Sequence, residues 1–79
     1  MKQQTFIAYL EDQNFKMITF ERFSCKRLET VINQMKELLK SSLYRACTKE
    51  AVSVAIYKTP DGYSKEDNPC CCFNINKEV

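Results

Sequence analysis

The chain has 79 residues, of which 44% are apolar and 28% charged, and its formal net charge is +2. This length allows one small hydrophobic core, and the composition is that of a folded domain rather than a disordered or collagen-like chain. No apolar run approaches the ~20 residues of a membrane-spanning helix, and the N-terminal residues lack the apolar segment of a signal peptide. We therefore expect residues 1–79 to form one soluble, cytoplasmic domain.

Two strands joined by a short turn open the chain. Residues 5–10 and 16–23 are rich in aromatic and β-branched side chains with partial alternation, which favours extended structure. The polar connector at 11–15 contains Asn14, a residue type that tolerates a left-handed backbone conformation. The pattern predicts an antiparallel hairpin.

A helix is the clearest element of the next segment. Ser24 is of a type favoured at helix N-caps, and the apolar residues that follow recur at helical spacing. We expect six of them to be buried against the sheet: Leu28, Val31, Ile32, Met35, Leu38 and Leu39. The pair Ser41-Ser42 can interrupt the helix, with Ser42 capping a further turn through Cys47. The sequence leaves open whether it does.

Two more strands complete the predicted fold. Residues 51–58 alternate in the period of a half-buried strand, and residues 59–62 have the chemistry of a type I turn at the start of a loop. Cys71, Phe73 and Ile75 then alternate with their neighbours as a fourth strand. The predicted fold is α+β, a four-stranded antiparallel sheet in the order ββαββ packed against one main helix.

One face of such a sheet has no helix to cover it, because a single helix covers one face only. If residues 6, 8 and 10 face the helix, Ile7 and Tyr9 point the other way, and the same alternation places Ala55 and Tyr57 beside them. Two interpretations stay open: exposed apolar residues scattered as on most proteins, or a contiguous aromatic patch that meets a partner or a second copy in a homodimer.

Most familiar catalytic arrangements are excluded by composition. The chain has no histidine, which removes the usual general base and the commonest metal ligand. Its single glycine rules out the Gly-rich loops that cradle phosphates. We therefore predict no catalytic residues and no enzymatic activity.

Five cysteines are the most unusual feature of the composition. A disulfide framework would need an export signal and would leave one cysteine unpaired, so free reduced thiols are the expected state. A zinc site is the alternative, using Cys70 and Cys72 with Cys25 or Cys47. If residues 25–47 form one straight helix, Cys25 and Cys47 lie about 33 Å apart at its two ends and cannot share an ion. No other cofactor is predicted.

The favoured functional hypothesis is a non-enzymatic protein-binding module. Tyr9, Tyr57 and Tyr63 are the candidate contact residues, because tyrosine combines a large apolar surface with a polar tip that tolerates exposure. The alternative is a nucleic-acid-binding module, with the tyrosines stacking on bases and cations of the helical segment contacting phosphates: Lys26, Arg27, Lys36, Lys40, Arg45 and Lys49. Glu29 and Glu37 lie among these cations and oppose such binding.

In its size, its intracellular character and its compact α/β plan without catalytic residues, the chain resembles the small inhibitor proteins of phages and mobile elements, among them the anti-CRISPR proteins. The resemblance is one of class and carries over no particular residue. It implies stoichiometric blockade of a host nuclease, such as an RNA-guided nuclease complex, in the cytoplasm of the host cell.

Overall fold

Four strands and two helices make up the part of the chain that the computed structural model describes, residues 4–60 and 64–75. In chain order they are β1 (Gln4–Glu11), β2 (Met17–Cys25), α1 (Leu28–Lys40), α2 (Ser42–Cys47), β3 (Ser53–Lys58) and β4 (Cys71–Asn74). The predicted α+β class and ββαββ order are confirmed, with α2 as a short second helix. No helix in the described ranges is long and apolar enough to cross a membrane.

The sheet is antiparallel throughout, with strand order β2-β1-β3-β4. The two central strands, β1 and β3, come from different hairpins, and β2 and β4 form the edges. The registers place Tyr9 opposite Phe20 on one side and Ala55 on the other, with Cys72 next along the same row. Cross-strand partners share a face, so these four residues form one row across the sheet.

The hydrophobic core lies between α1 and the face of the sheet that carries Phe6, Ala8 and Leu10, as the alternation predicted. Of the six helical residues predicted to be buried, half are: Val31, Met35 and Leu39. Leu28, Ile32 and Leu38 are only half-buried, so the prediction was wrong for them. The buried three are spaced four residues apart and form one narrow stripe, while the others flank that stripe at the rim of the core.

The start of α1 differs from the prediction. Ser24 is not its N-cap, because β2 continues to Cys25 and Ser24 pairs with Thr5 in the sheet. Arg27 takes the cap position, with extended backbone and no side-chain hydrogen bond to the helix. Pairing along β1 therefore determines where the helix begins, ahead of the preference of serine for helix ends.

A break between the helices occurs at Ser41, one residue before the predicted cap at Ser42. The Ser41 side chain accepts a hydrogen bond of 3.4 Å from the backbone N–H of Tyr44, and its backbone is extended. This bond satisfies one of the free amides at the start of α2. The interruption that the serine pair allows is therefore present.

The turn of the first hairpin is held by Asp12, whose side chain accepts hydrogen bonds from the backbone N–H groups of Asn14 and Lys16 at 2.8 and 3.0 Å. The left-handed residue is Phe15, with φ 62°, rather than Asn14. This conformation is uncommon for a bulky residue, and it leaves the Phe15 ring 80% exposed at the tip of the hairpin. The predicted turn at 59–62 extends beyond the described residues.

Candidate functional site

Three aromatic rings meet on the sheet face opposite α1, and we call Tyr9, Phe20 and Tyr57 the aromatic cluster. The Tyr9 ring lies 6.3 Å from Phe20 and 5.4 Å from Tyr57 between centroids, with tilts of 59° and 54°. These are favourable tilted geometries for aromatic pairs. Tyr9 joins the two because β1 lies between β2 and β3, which carry the other rings.

The open face of the sheet also carries small and branched residues that are themselves buried. Ile7 and Ala55 lie on it without a helix above them, yet they are only 5% and 4% exposed. Ile7 is opposite Tyr57 and Arg22 in the sheet, and Ala55 is opposite Tyr9. The neighbouring long side chains therefore shield a second, thin apolar layer on the open face.

Two cations lie against the aromatic cluster. The Lys65 ammonium is 4.3 Å from the centroid of Tyr57 and 5.8 Å from that of Tyr9, and the Arg22 guanidinium is 5.7 Å from that of Phe20. The Lys65 segment is tied to the sheet because the next residue, Glu66, donates its backbone N–H to the carbonyl of Lys58 at 2.9 Å. A segment far from β1 in sequence thus contributes to the cluster.

The Tyr57 hydroxyl is protonated at neutral pH in this setting. Burial raises the pKa of Tyr57, and the charges of Glu11 and Cys72 raise it further. A higher pKa keeps the phenol protonated at neutral pH, so its hydroxyl remains able to donate a hydrogen bond.

A groove of about 490 Å³ adjoins the cluster, and we call it the sheet groove. It runs from the exposed Phe15 past Glu11 and Tyr57 to Pro69 and Cys72. Its walls combine aromatic and apolar surface with a single carboxylate, a lining suited to an extended segment or a large side chain.

The predicted contact residues are partly brought together. Tyr9 and Tyr57 are neighbours, as the alternation indicated, and Tyr63 lies outside the described residues. Sequence reasoning missed Phe20, which completes the cluster. Phe20 and Phe23 are three residues apart on one strand, so they had to lie on opposite faces. The hairpin register, which the composition of the turn left undetermined, decides which of them is exposed.

The predicted nucleic-acid contacts are divided between two places. Lys36, Lys40 and Arg45 line a cleft between the helices and β4, on the side of the sheet away from the aromatic cluster. Lys26 and Arg27 lie before the start of α1, and Arg27, its N-cap, is about 13 Å from Lys36 along the helix axis. The rings and the cleft therefore do not form one continuous surface.

The five cysteines are free thiols, and within residues 4–60 and 64–75 no cluster of three or more potential ligands is arranged for a metal ion. Cys25 is buried beside Gln34, with 3.7 Å between the thiol and the amide oxygen, whereas Cys70 bonds to the carbonyl of Ile56 at 3.3 Å. Burial raises the pKa of both Cys70 and Cys72. The predicted ligands are not brought together.

No family model, curated protein sequence or solved structure matches this chain.

Proposed function

We propose that the protein is a non-enzymatic binding module that contacts another protein through the open face of its sheet, with the aromatic cluster at the centre of the contact. One observation carries the proposal. Of the large apolar side chains that are exposed among the described residues, all but Leu43 belong to the first hairpin: Phe15, Met17, Ile18 and Phe20. Exposed apolar side chains concentrated in one region mark interaction surfaces far more often than singly scattered ones do.

The chemistry of this face suits a protein partner. Tyrosine, phenylalanine and arginine are enriched at the centres of protein interfaces, and Arg22 lies beside the ring of Phe20. Lys65 covers Tyr57 in the free protein. An exposed cation–π contact is worth only about 0.5–1 kcal/mol, so a partner can displace the lysine side chain at little cost.

We propose further that the partner is an RNA-guided nuclease complex and that binding blocks it stoichiometrically. The support for this finer statement is the class resemblance to small inhibitors of phages and mobile elements. Inhibition by occupation of a surface requires no catalytic group in the inhibitor, which agrees with a face built from aromatic rings over a thin apolar layer.

Single-stranded nucleic acid is a second candidate ligand, favoured by the cations beside the rings. Lys65 and Arg22 could contact phosphates while bases stack on the aromatic cluster. Of the cations predicted to contact phosphates, however, Lys36, Lys40 and Arg45 lie on the other side of the sheet, so a strand on this face would meet few of them. We therefore prefer the protein partner.

Titration of a nuclease complex tests the proposal with a matched pair of variants. Phe20→Ser removes an exposed ring from the cluster, whereas Leu43→Ser removes an exposed apolar side chain from α2. We expect inhibition by the unchanged protein to saturate at a fixed ratio, Phe20→Ser to weaken it by about 30-fold, corresponding to about 2 kcal/mol, and Leu43→Ser to leave it unchanged.

Two results would contradict the proposal. Equal effects of the two variants would show that the aromatic cluster is not the contact, and activity at far less than one protein per complex would indicate an enzyme. Sedimentation of the free protein at increasing concentration separates a second copy from a foreign partner, because self-association through this face would be lost in Phe20→Ser.

A further inference from the structure

A second candidate site lies on the helix side of the sheet, where α1, α2 and β4 enclose the cleft already noted, which we call the basic cleft. Its volume is about 360 Å³, enough for one or two side chains of a ligand. Lys36, Lys40 and Arg45 surround it, and its apolar walls are Leu39, Phe73 and Ile75, with Asn74 at the edge.

No carboxylate is among the described residues that line the basic cleft, so its lining does not neutralise the positive charge of the cations. Lys36 and Lys40 are four residues apart on α1, a spacing at which like charges repel. Lys40 is paired with Glu37 at 3.0 Å, but both side chains are more than 70% exposed, and exposed pairs of this kind contribute little. Lys40 is therefore able to exchange Glu37 for an incoming anion.

Arg45 has capacity for a ligand as well. Its Nη1 donates to the backbone carbonyl of Leu39 at 3.5 Å, which is at the outer limit of a hydrogen bond. A guanidinium carries five N–H donors in a planar fork that matches a carboxylate. The Arg45 side chain is half-buried at the cleft, and this long hydrogen bond leaves its other N–H donors for an anion.

The apolar walls of the basic cleft indicate that the ligand needs a second chemical group beside its anion. Phe73 and Ile75 are half-buried partners of the core, and the Lys36 ammonium lies 5.6 Å from the centroid of the Phe73 ring. A bare anion would leave these walls in contact with water, whereas an apolar side chain beside the anion would cover them. The ligand that fits has a carboxylate next to a bulky apolar group.

We propose that the basic cleft binds an acidic peptide segment of a partner protein, through a carboxylate side chain that adjoins a bulky apolar one. A nucleic-acid strand fits less well, because its phosphates would continue past the cleft along α1, where Glu37 lies. The cleft and the aromatic cluster are on opposite sides of the sheet, so this proposal does not depend on the function proposed above.

The test is a titration followed by the backbone amide signals of the full chain in NMR spectra. The probe is the peptide acetyl-Phe-Asp-amide, and the neutral peptide acetyl-Phe-Asn-amide is its control. We expect the acidic peptide to shift the signals of Leu39, Arg45 and Phe73 in a saturable way. The neutral peptide should bind at least about tenfold more weakly, because it lacks the charge-assisted hydrogen bonds.

Substitutions inside and outside the basic cleft test whether the acidic peptide binds there. Lys36 and Lys40 are exposed, so Lys36→Gln combined with Lys40→Gln should fold normally and weaken the acidic peptide about tenfold, whereas Lys16→Gln, on the first hairpin, should not change its affinity. Phe20→Ser should also bind the peptide normally.

Several outcomes would overturn the proposal. Equal affinity for the two peptides, or no shift up to about 10 mM, would exclude carboxylate recognition. Identical shifts with inorganic phosphate at the same concentrations would show a site for small anions without a requirement for an apolar group. Displacement of the peptide by a single-stranded oligonucleotide at far lower concentration would assign the cleft to nucleic acid.

Discussion

Tyr44 shows how a single contact between a helix and the sheet changes the chemistry of one residue. It lies on α2, half-buried against the core, and its hydroxyl donates a hydrogen bond of 3.2 Å to the Glu21 carboxylate on β2. Burial, the charge of Glu21 and this hydrogen bond together raise the pKa of Tyr44 from 10.0 to about 12. The contact fastens α2 to the edge strand of the sheet.

This contact makes stability depend on pH in alkaline solution. Because the folded protein holds the Tyr44 proton more tightly than the unfolded chain, the contribution is fully present below pH 10.0 and is lost as the pH rises to about 12. Ultraviolet titration of tyrosinate, compared with Tyr44→Phe, should show the late transition. Glu21→Gln should lower the pKa of Tyr44 part of the way, since burial remains. If the transition that Tyr44→Phe removes from the titration curve lies near 10.0, the contact is contradicted.

Two buried threonines differ in what their hydroxyls bond to. The Thr48 hydroxyl donates to the carbonyl of Tyr44 at 2.9 Å, while the Thr59 hydroxyl, in a residue 2% exposed, has no hydrogen-bond partner in the described part of the chain. We expect Thr59→Val to stabilise the protein by about 1 kcal/mol and Thr48→Val to destabilise it by about 1 kcal/mol. Urea unfolding of both variants measures this, and a loss of stability in Thr59→Val would reveal a bond to its hydroxyl.

The energetics of α1 follow from its narrow buried stripe. Met35 is 0% exposed at the centre of the core, whereas Leu38 flanks the stripe and is half-buried. Met35→Ala should cost about 2–5 kcal/mol, and Leu38→Ala less than half as much, because its neighbours and water can fill the space. The free energies of unfolding in urea test this order. Similar losses for both variants would mean that α1 is rotated from the orientation described.

How much of these elements could be predicted depends on how local their causes are. Alternation in β1 and β3 was enough to place Tyr9 and Tyr57 on one face, because the period of a strand is local. The end of β2 was not predictable, since it depends on pairing with Gln4, and neither was the exposure of Phe20, since it depends on hairpin register. Phe15 took the left-handed position because Asp12 organises the turn around it.

The candidate sites were less predictable than the elements, because they are assembled from distant segments. Lys65 reaches the rings from the loop before β4, and the basic cleft joins α1 and α2 to β4. The composition pointed to tyrosines and helical cations, but it could not show that they lie on opposite sides of the sheet.

For the whole molecule, the strand order explains why two separate surfaces exist. One main helix covers one face of a sheet with four strands, so the aromatic cluster on the opposite face stays in contact with solvent. The helices in turn leave a basic cleft beside the edge strand β4. The aromatic cluster and the basic cleft therefore lie on opposite sides of the sheet, and we propose them as two independent contact surfaces.

The central claim is protein binding through the aromatic cluster. Its most direct test is calorimetric titration of an RNA-guided nuclease complex at 50 and 200 mM salt, run with the unchanged protein and with Phe20→Ser. We predict a fixed stoichiometry, a negative heat-capacity change from apolar burial, a Kd that changes by less than about tenfold between the two salt concentrations, and a clear loss of affinity in Phe20→Ser. A loss of about 1,000-fold between the two salt concentrations, as phosphate neutralisation produces, or an unchanged affinity of Phe20→Ser, would contradict the account.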